Sequence, residues 1–313
     1  MPLKLIHGWR DLAPEQQGAA LALGNFDGVH RGHQQVIADA ARAAAALGAP
    51  LGVISFEPHP RRWFHPDEPA FRLMTLDQQA HALDELGVDR LHVLSFDDEL
   101  AHLSDGAFAR EVLAGGLGAR HVAAGFDITF GYGRTGDPAA LRRYGRAFGF
   151  GVSIAGPVPA PGGGKCSSTA VRQALRDGAP ERAADLLGRP FAVEGVVVHG
   201  DKLGRTLGYP TANVLLDDYV QPAFGVYAMR SHLPDGRAVA GVGYVGDRPT
   251  VNGSGVRLEV NLFDFGEDLY GQTLETELVA YLRPDQRFDN LAAMIEQMRT
   301  DEQQARAILL PEL

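Results

Sequence analysis

Apolar residues in the first half of the chain come in short runs separated by longer amphipathic stretches. The runs "LALG" (21–24), "LGVISF" (51–56), "RLHVLSF" (90–96), "HVAAGF" (121–126) and "GVSIAG" (151–156) predict buried strands. Between them, 33–47, 75–86, 104–113 and 137–149 place apolar residues at helical spacing. Thr75 with Gln78 fits a reciprocal helix cap, and Pro138 suits a first helical turn. Strand and helix in alternation predict a parallel sheet covered by helices. After about residue 188 the rhythm changes. Segments 191–200, 225–230, 238–246, 256–265 and 273–282 read as strands divided by glycine or proline turns, which predicts an antiparallel barrel or sandwich. Residues 290–309 predict a closing helix. The polar, helical connector 176–190 marks the boundary, so domains of 1–186 and 187–313 are expected.

A length of 313 residues suits two such domains, each large enough for its own core. The net charge of −10 and the lack of a long basic run argue against nucleic-acid binding by phosphate neutralisation. Small anionic substrates in a locally basic pocket remain allowed. Cys166 is the only cysteine, which rules out an internal disulfide framework and fits a reducing, cytoplasmic setting. "MPLKLIHGWRDL" has no apolar core behind a basic start, so no secretory leader is expected. No apolar run reaches about 18 residues, so no membrane span is expected either. No oligomer interface is readable, and a homo-oligomer is left open.

In open parallel sheets ligands sit outside the carboxyl ends of strands. "GNFDGVHRGH" follows the apparent strand at 21–24. Gly24, Gly28 and Gly32 let the backbone bend and come close to a ligand, and His30 and His33 stand where the turn becomes a helix. Free N–H groups and the helix dipole favour anions there, and imidazoles can donate to phosphate oxygens. A metal-binding pair and a structural turn with incidental histidines are the competing readings; Asp27 is a turn former or a functional group. Two further stretches imitate nucleotide motifs. "GYGRTG" (131–136) has dinucleotide-loop spacing but comes after several strand–helix units, not at the first turn. "GGGKCSS" (162–168) approaches a P-loop, but Cys166 stands where a magnesium-binding hydroxyl is needed and Pro159 where the first glycine is needed. Cys166 reads as a small packed residue at a helix start, and Lys165 as a mobile loop lysine.

In the second half, "GVVVHGDKLGRTLGYPTANV" (195–214) is rich in glycine. Gly200, Gly204 and Gly208 suit a loop around phosphate. Thr211 and Asn213, two apart in an extended segment, offer hard oxygen ligands on one face, a plausible sparse Mg²⁺ site. Taken alone, the segment reads more readily as a turn followed by an ordinary strand. In "VRLEVNLFDF" the apolar residues alternate with Arg257, Glu259 and Asn261, so Glu259 lies on a polar face; taken alone it reads first as a solvent-facing strand glutamate, and otherwise as a carboxylate that can take a proton from a hydroxyl.

The His-x-Gly-His element resembles the signature of the nucleotidylyltransferase superfamily, and "GNFDGVHRGHQ" is similar to its version in bacterial FAD synthetases. "FEPHP" (56–60), "GFDITFGYGRTGD" (125–137) and "SSTAVR" (167–172) extend the likeness, although Ile128 stands where an aromatic is usual. The second half, with "GRTLGYPTAN", "GVYA", "VGDRPT" (245–250) and "LEVNLFDFGEDLYG" (258–271), resembles riboflavin kinase. Together they resemble the bacterial bifunctional riboflavin kinase/FAD synthetase family. The resemblance implies a Rossmann-like nucleotidylyltransferase domain followed by a riboflavin kinase β-barrel. It implies ATP, Mg²⁺ and flavins (riboflavin, FMN, FAD) as the small molecules handled. His30, His33 and Arg172 would hold the triphosphate, with Gly24, Asn25, Phe26, Gly28, Ser168 and Thr169 also at ATP, and Asp127 and Phe130 on the flavin side. In the kinase half Gly200, Gly204, Arg205, Thr211 and Asn213 would meet ATP, with Thr211 and Asn213 at the metal. Glu259 would be the general base, and Arg283 and Phe288 would close over flavin. Asp247 and Arg248 read as turn residues. A flavin-binding protein without turnover, or an enzyme with one active half, are the alternatives.

Overall fold

A computed structural model of the chain describes residues 2–200, 209–250 and 253–310. The chain forms two compact units, Met1–Glu68 with Leu76–Ser167, and Pro69–Thr75 with Ser168–Leu313.

The first unit is built on a six-stranded parallel sheet in the order β1-β4-β3-β2-β5-β6. Its strands are β1 (Lys4–His7), β2 (Ala20–Leu23), β3 (Leu51–Glu57), β4 (Arg90–Ser95), β5 (His121–Gly125) and β6 (Gly151–Ala155). The five predicted strands are present. The edge strand β1 is additional, because its four residues bury only Ile6 and carry almost no pattern. From β2 the chain steps outward through β3 and β4, then returns to β5 on the other side of β2. That reversal opens a crevice over the carboxyl ends of β2 and β5.

Helix α1 (Arg31–Leu47) buries Val36, Ile37, Ala40 and Ala44 and stops at Gly48, which is left-handed. The short helix α2 (Pro60–Phe64) follows β3, and α3 (Leu76–Glu85) and α4 (Asp98–His102) flank β4 in sequence. The expected helix at 104–113 is α5 (Asp105–Ala107) running into a π-wound stretch, Phe108–Gly116. The wider winding turns Phe108, Ala109, Val112 and Leu113 into the core. It ends where Gly116 passes Trp9; a Cβ there would lie 2.3 Å from the Trp9 carbonyl oxygen. Helix α6 (Pro138–Phe148) starts on Pro138 as expected, with Asp137 accepting from the Ala140 N–H at 2.7 Å.

The second unit contains a six-stranded antiparallel sheet in the order β7-β12-β9-β10-β11-β8. Its strands are β7 (Phe191–Val196), β8 (Ala212–Leu215), β9 (Gly225–His232), β10 (Ala238–Thr250), β11 (Gly253–Leu262) and β12 (Thr273–Pro284). A bridge from the Val198 N–H to the Asn213 carbonyl, 2.8 Å, links the two ends and nearly closes a barrel. Along β12 every second residue from Leu274 to Ala280 is buried. The buried hydroxyls of Ser231 and Thr276 satisfy each other at 2.9 Å. Helices α7 (Ser168–Arg176) and α8 (Pro180–Leu187) precede the barrel. Helix α9 (Leu291–Leu309), capped by Asn290, lays Ala305 and Leu309 on Val226, Ala228 and Val242. Asp247 and Arg248 are not in a turn: β10 runs on through them, opposite Val256 and Gly255. Gly204, Arg205 and Gly208 lie outside the described residues.

His92, in the middle of β4, is fully buried with no partner on either ring nitrogen among the described residues. Desolvation, helped by the charge of Arg90, pushes its pKa down to about 4. The unfolded ring takes up its proton near pH 6.5, the folded ring only near 4, so stability is complete above the first value and falls as pH drops toward the second. His92→Leu is expected to remove about 2–3 kcal/mol of the stability lost between pH 7 and 4.5. Urea unfolding at both pH values measures it; equal pH losses in the two proteins would exclude His92 as the cause.

Candidate active sites

The first site begins where β2 runs out at Leu23. The turn to α1 holds Phe26 at φ +50°, Gly28 at +86° and Val29 at +42°. A left-handed β-branched residue is strained, and such strain persists only where the surroundings impose it. Here Phe26, Asp27, Val29 and His30 are all buried. Amide side chains brace the turn: Gln34 donates to the Val29 carbonyl at 3.0 Å, and Gln79 of α3 to the Asn25 carbonyl at 3.2 Å. Gln79 had no sequence signal beyond being a polar residue on a helix; its burial marks it.

His30 is the N-cap of α1, its Nδ1 accepting from the His33 N–H at 3.2 Å. Since Nδ1 is the acceptor, the neutral ring carries its proton on Nε2, the nitrogen that donates. The His33 ring stacks on His30, centroids 3.6 Å apart and planes 18° from parallel, and the Phe26 ring lies 5.0 Å from His33. Gly32 between them has a packing reason. A Cβ there would lie 3.0 Å from His30 Cε1 and 3.1 Å from the Cys166 carbonyl oxygen. The two imidazoles stand at the start of a 17-residue helix, where free N–H groups and the dipole favour anions.

Beside it, β5 ends at Gly125, where Ile128 N–H closes a tight turn on the Gly125 carbonyl at 3.1 Å. Asp127 is exposed and ion-paired with Lys165, whose Nζ stands 4.8 Å from the Phe126 ring centroid. Lys165 closes a hairpin with Pro159, with Gly162, Gly163 and Gly164 all at positive φ. The P-loop lookalike is therefore a hairpin. In "GYGRTG", Gly131 is needed because a Cβ would lie 2.4 Å from the Asp105 backbone nitrogen. Phe130 is buried against Phe108 in the core. Cys166 is buried, and desolvation pushes its thiol up.

Ser168 and Thr169 open α7, in the second unit. Arg172 on that helix is buried; its Nε donates to the Phe71 carbonyl at 2.7 Å and its guanidinium lies 5.4 Å over the Phe71 ring.

The barrel site rests on register. Asn213 on β8 stands directly opposite Glu259 on β11, and Glu259 opposite Tyr244 on β10. Asn213 is buried, and its Nδ2 donates to the Thr211 carbonyl at 3.3 Å. A Cβ on Gly200 would lie 2.6–2.8 Å from the Asn213 carboxamide, so the glycine makes room for it. Gly200, Thr211 and Asn213 line a cavity of about 300 Å³ walled by Phe265–Tyr270. Thr211 also lines a second cleft, of about 410 Å³, with Tyr244, Glu259, Arg283, Phe288, Met294 and Met298. Arg283 is held by a bidentate pair with the buried Asp301, at 2.8 and 2.9 Å, with its guanidinium 5.8 Å from the Phe288 ring. The Asp301 partner was not evident in the sequence, because a lone aspartate on a helix reads as solvated. Among the described residues no three His, Cys, Asp or Glu side chains are grouped to hold a metal.

Residues 12–170 match the FAD synthetase family model, and residues 187–309 the riboflavin kinase family model. The chain is 43% identical over 310 residues to the bifunctional riboflavin kinase/FMN adenylyltransferase of Pseudomonas fluorescens, covering 99% of both chains. Identity is 41% to the Escherichia coli K12 enzyme of the same name (97% of both) and 34% to that of Bacillus subtilis (97% of this chain, 96% of the relative). A solved Streptococcus pneumoniae structure, described as a macrolide-efflux protein, superposes with TM-score 0.86 at 33% identity, covering 98% of this chain and 99% of that one. Among the described residues no helix is long and apolar enough to cross a membrane.

Gly32→Ala is expected to displace either the His30 ring or the Cys166 backbone and to destabilise the fold by about 1–3 kcal/mol. Chemical denaturation measures the change; an unchanged midpoint would show that the cap tolerates a Cβ.

Proposed function

The chain belongs to the bifunctional riboflavin kinase/FMN adenylyltransferase family, and from that membership we propose which residues perform each of its two reactions. Residues 187–313 phosphorylate riboflavin to FMN, and residues 1–186 adenylylate FMN to FAD with release of pyrophosphate.

In the kinase reaction the terminal hydroxyl of riboflavin attacks the γ-phosphorus of ATP and ADP leaves. Glu259 takes the hydroxyl proton. Flavin lies in the cleft lined by Phe288, Met294 and Met298, and the ATP phosphates reach Thr211 from the neighbouring cavity. The observation that carries this reading is the pairing of Asn213 with Glu259, which sets the phosphate-handling amide beside the base. Arg283, committed to Asp301, shapes the cleft wall under Phe288. The hard oxygens of Thr211 and Asn213 fit Mg²⁺, and Gly200 leaves the carboxamide its space. With the nucleotide phosphates, the ion would neutralise charge on the transferring group.

In the adenylyl reaction a phosphate oxygen of FMN attacks the α-phosphorus of ATP, and the bond to pyrophosphate breaks. No protein nucleophile is required. His30 Nε2–H and His33 donate to the phosphate oxygens as charge builds, and the first turn of α1 adds its backbone N–H groups. Gly24, Asn25, Phe26 and Gly28 shape the turn against the nucleotide. Asp127 meets the flavin side. Phe130, deep in the core, supports that wall through packing.

Glu259→Ala is expected to lower FMN formation from riboflavin by about 10²–10⁴-fold while FMN is still converted to FAD. His30→Ala should do the reverse. Chromatography of the flavins formed with ATP and Mg²⁺ reads both steps; a folded variant that loses both would contradict separate sites.

A further inference from the structure

The wall of the cavity assigned to ATP is tied at two points. Glu267, within it, makes a bidentate pair with Arg237 at the β9–β10 turn, both contacts 2.8 Å. Asp264, at its root, sits at φ +55° just after β11 and is gripped by Arg306 of α9. Arg306 Nη1 and Nη2 donate to the two Asp264 oxygens at 3.0 and 3.3 Å, Nε donates to Glu302 at 2.9 Å, and the guanidinium lies 4.2 Å over the Phe263 ring. The first tie stands on the barrel. The second stands on a helix that, about one to three turns earlier, supplies Met294, Met298 and Asp301 to the flavin cleft.

We infer that Arg306 is a positioning residue for ATP in the kinase reaction, holding the Asp264 end of the nucleotide wall and linking that wall to flavin occupancy through α9. This rests on the assignment of ATP and flavin to the two cavities given above. An exposed pair such as this adds little to stability: Asp264 is 80% exposed and Arg306 33%. Its forked geometry does restrain direction, because both oxygens of Asp264 must follow the guanidinium plane. A shift of α9 on closing around flavin therefore moves Asp264, and with it Phe265–Tyr270. Arg237 gives the wall a fixed end about which to turn.

The test uses the full chain and measures KM for ATP in both reactions, at riboflavin concentrations below and above its own KM for the first. In the wild type, KM for ATP in FMN formation should fall as riboflavin rises. Arg306→Ala should raise it at saturating riboflavin by about fivefold or more and abolish its dependence on riboflavin. The kcat for FMN formation, and KM for ATP in FAD formation, should stay as they were. Asp264→Asn should reproduce the effect, Arg306→Lys should restore part of it, and Glu302→Gln should have none. An unchanged KM for ATP in Arg306→Ala, a rise in both reactions, or a silent Asp264→Asn would overturn the inference. Failure of the underlying assignment reads differently and sinks the inference with it: the wild type would make no FMN, or Glu259→Ala would leave FMN formation intact.

Discussion

Strand register is the constraint on which both sites depend, and it acts differently in each unit. In the parallel sheet, Leu23 aligns with Ala124 across the β2–β5 pair, so the turns that follow those strands open on the same edge. The candidate site there is built from strand ends. In the barrel it is built from strand faces. Asn213 and Glu259 meet because β8 and β11 pair at that residue, and a slip of one position would set an apolar neighbour in place of one of them. Val214 and Leu258, both fully buried and opposite each other, pin the pairing. The apolar partners one residue away thus hold Asn213 and Glu259 in place.

The turn above β2 shows how a costly backbone is kept. Left-handed Phe26 and Val29 cost about 1–3 kcal/mol each. Full burial of such side chains returns about 1.5–3 kcal/mol apiece. Both are buried, and the Gln34 and Gln79 amides satisfy the carbonyls that the turn exposes. The strain is nearly offset, and what remains is a turn whose backbone and imidazoles are held in one arrangement.

Much of this was legible in the sequence because the strands of a covered parallel sheet are apolar on both faces. Those of the first unit stood out as runs, and the barrel strands as alternation. Elements with little to bury escaped: β1, α2 and α4 are four or five residues long. The extent of β10 was misjudged because Gly246, Asp247 and Pro249 look like turn chemistry, whereas long-hairpin pairing overrides it. Motif spacing singled out His30, His33, Thr211, Asn213 and Glu259 as candidates, since each lies within a few residues of its partners or on a patterned strand. It could not reveal Gln79 on Asn25, Asp301 on Arg283 or Asp264 on Arg306, whose partners are 54, 18 and 42 residues away. Such pairs exist only once the chain has folded.

Residues 69–75 leave the first half of the chain to join the second unit. Phe71 and Arg72 N–H groups donate to the Asp218 carbonyl, and Val220 N–H to the Arg72 carbonyl. Phe71, Leu73 and Met74 are buried. The polypeptide therefore crosses between its units three times. No single scission, genetic or proteolytic, can yield both halves whole: a fragment beginning at the connector would lack an inner strap of its own core, and its counterpart would carry that strap as a bare apolar tether.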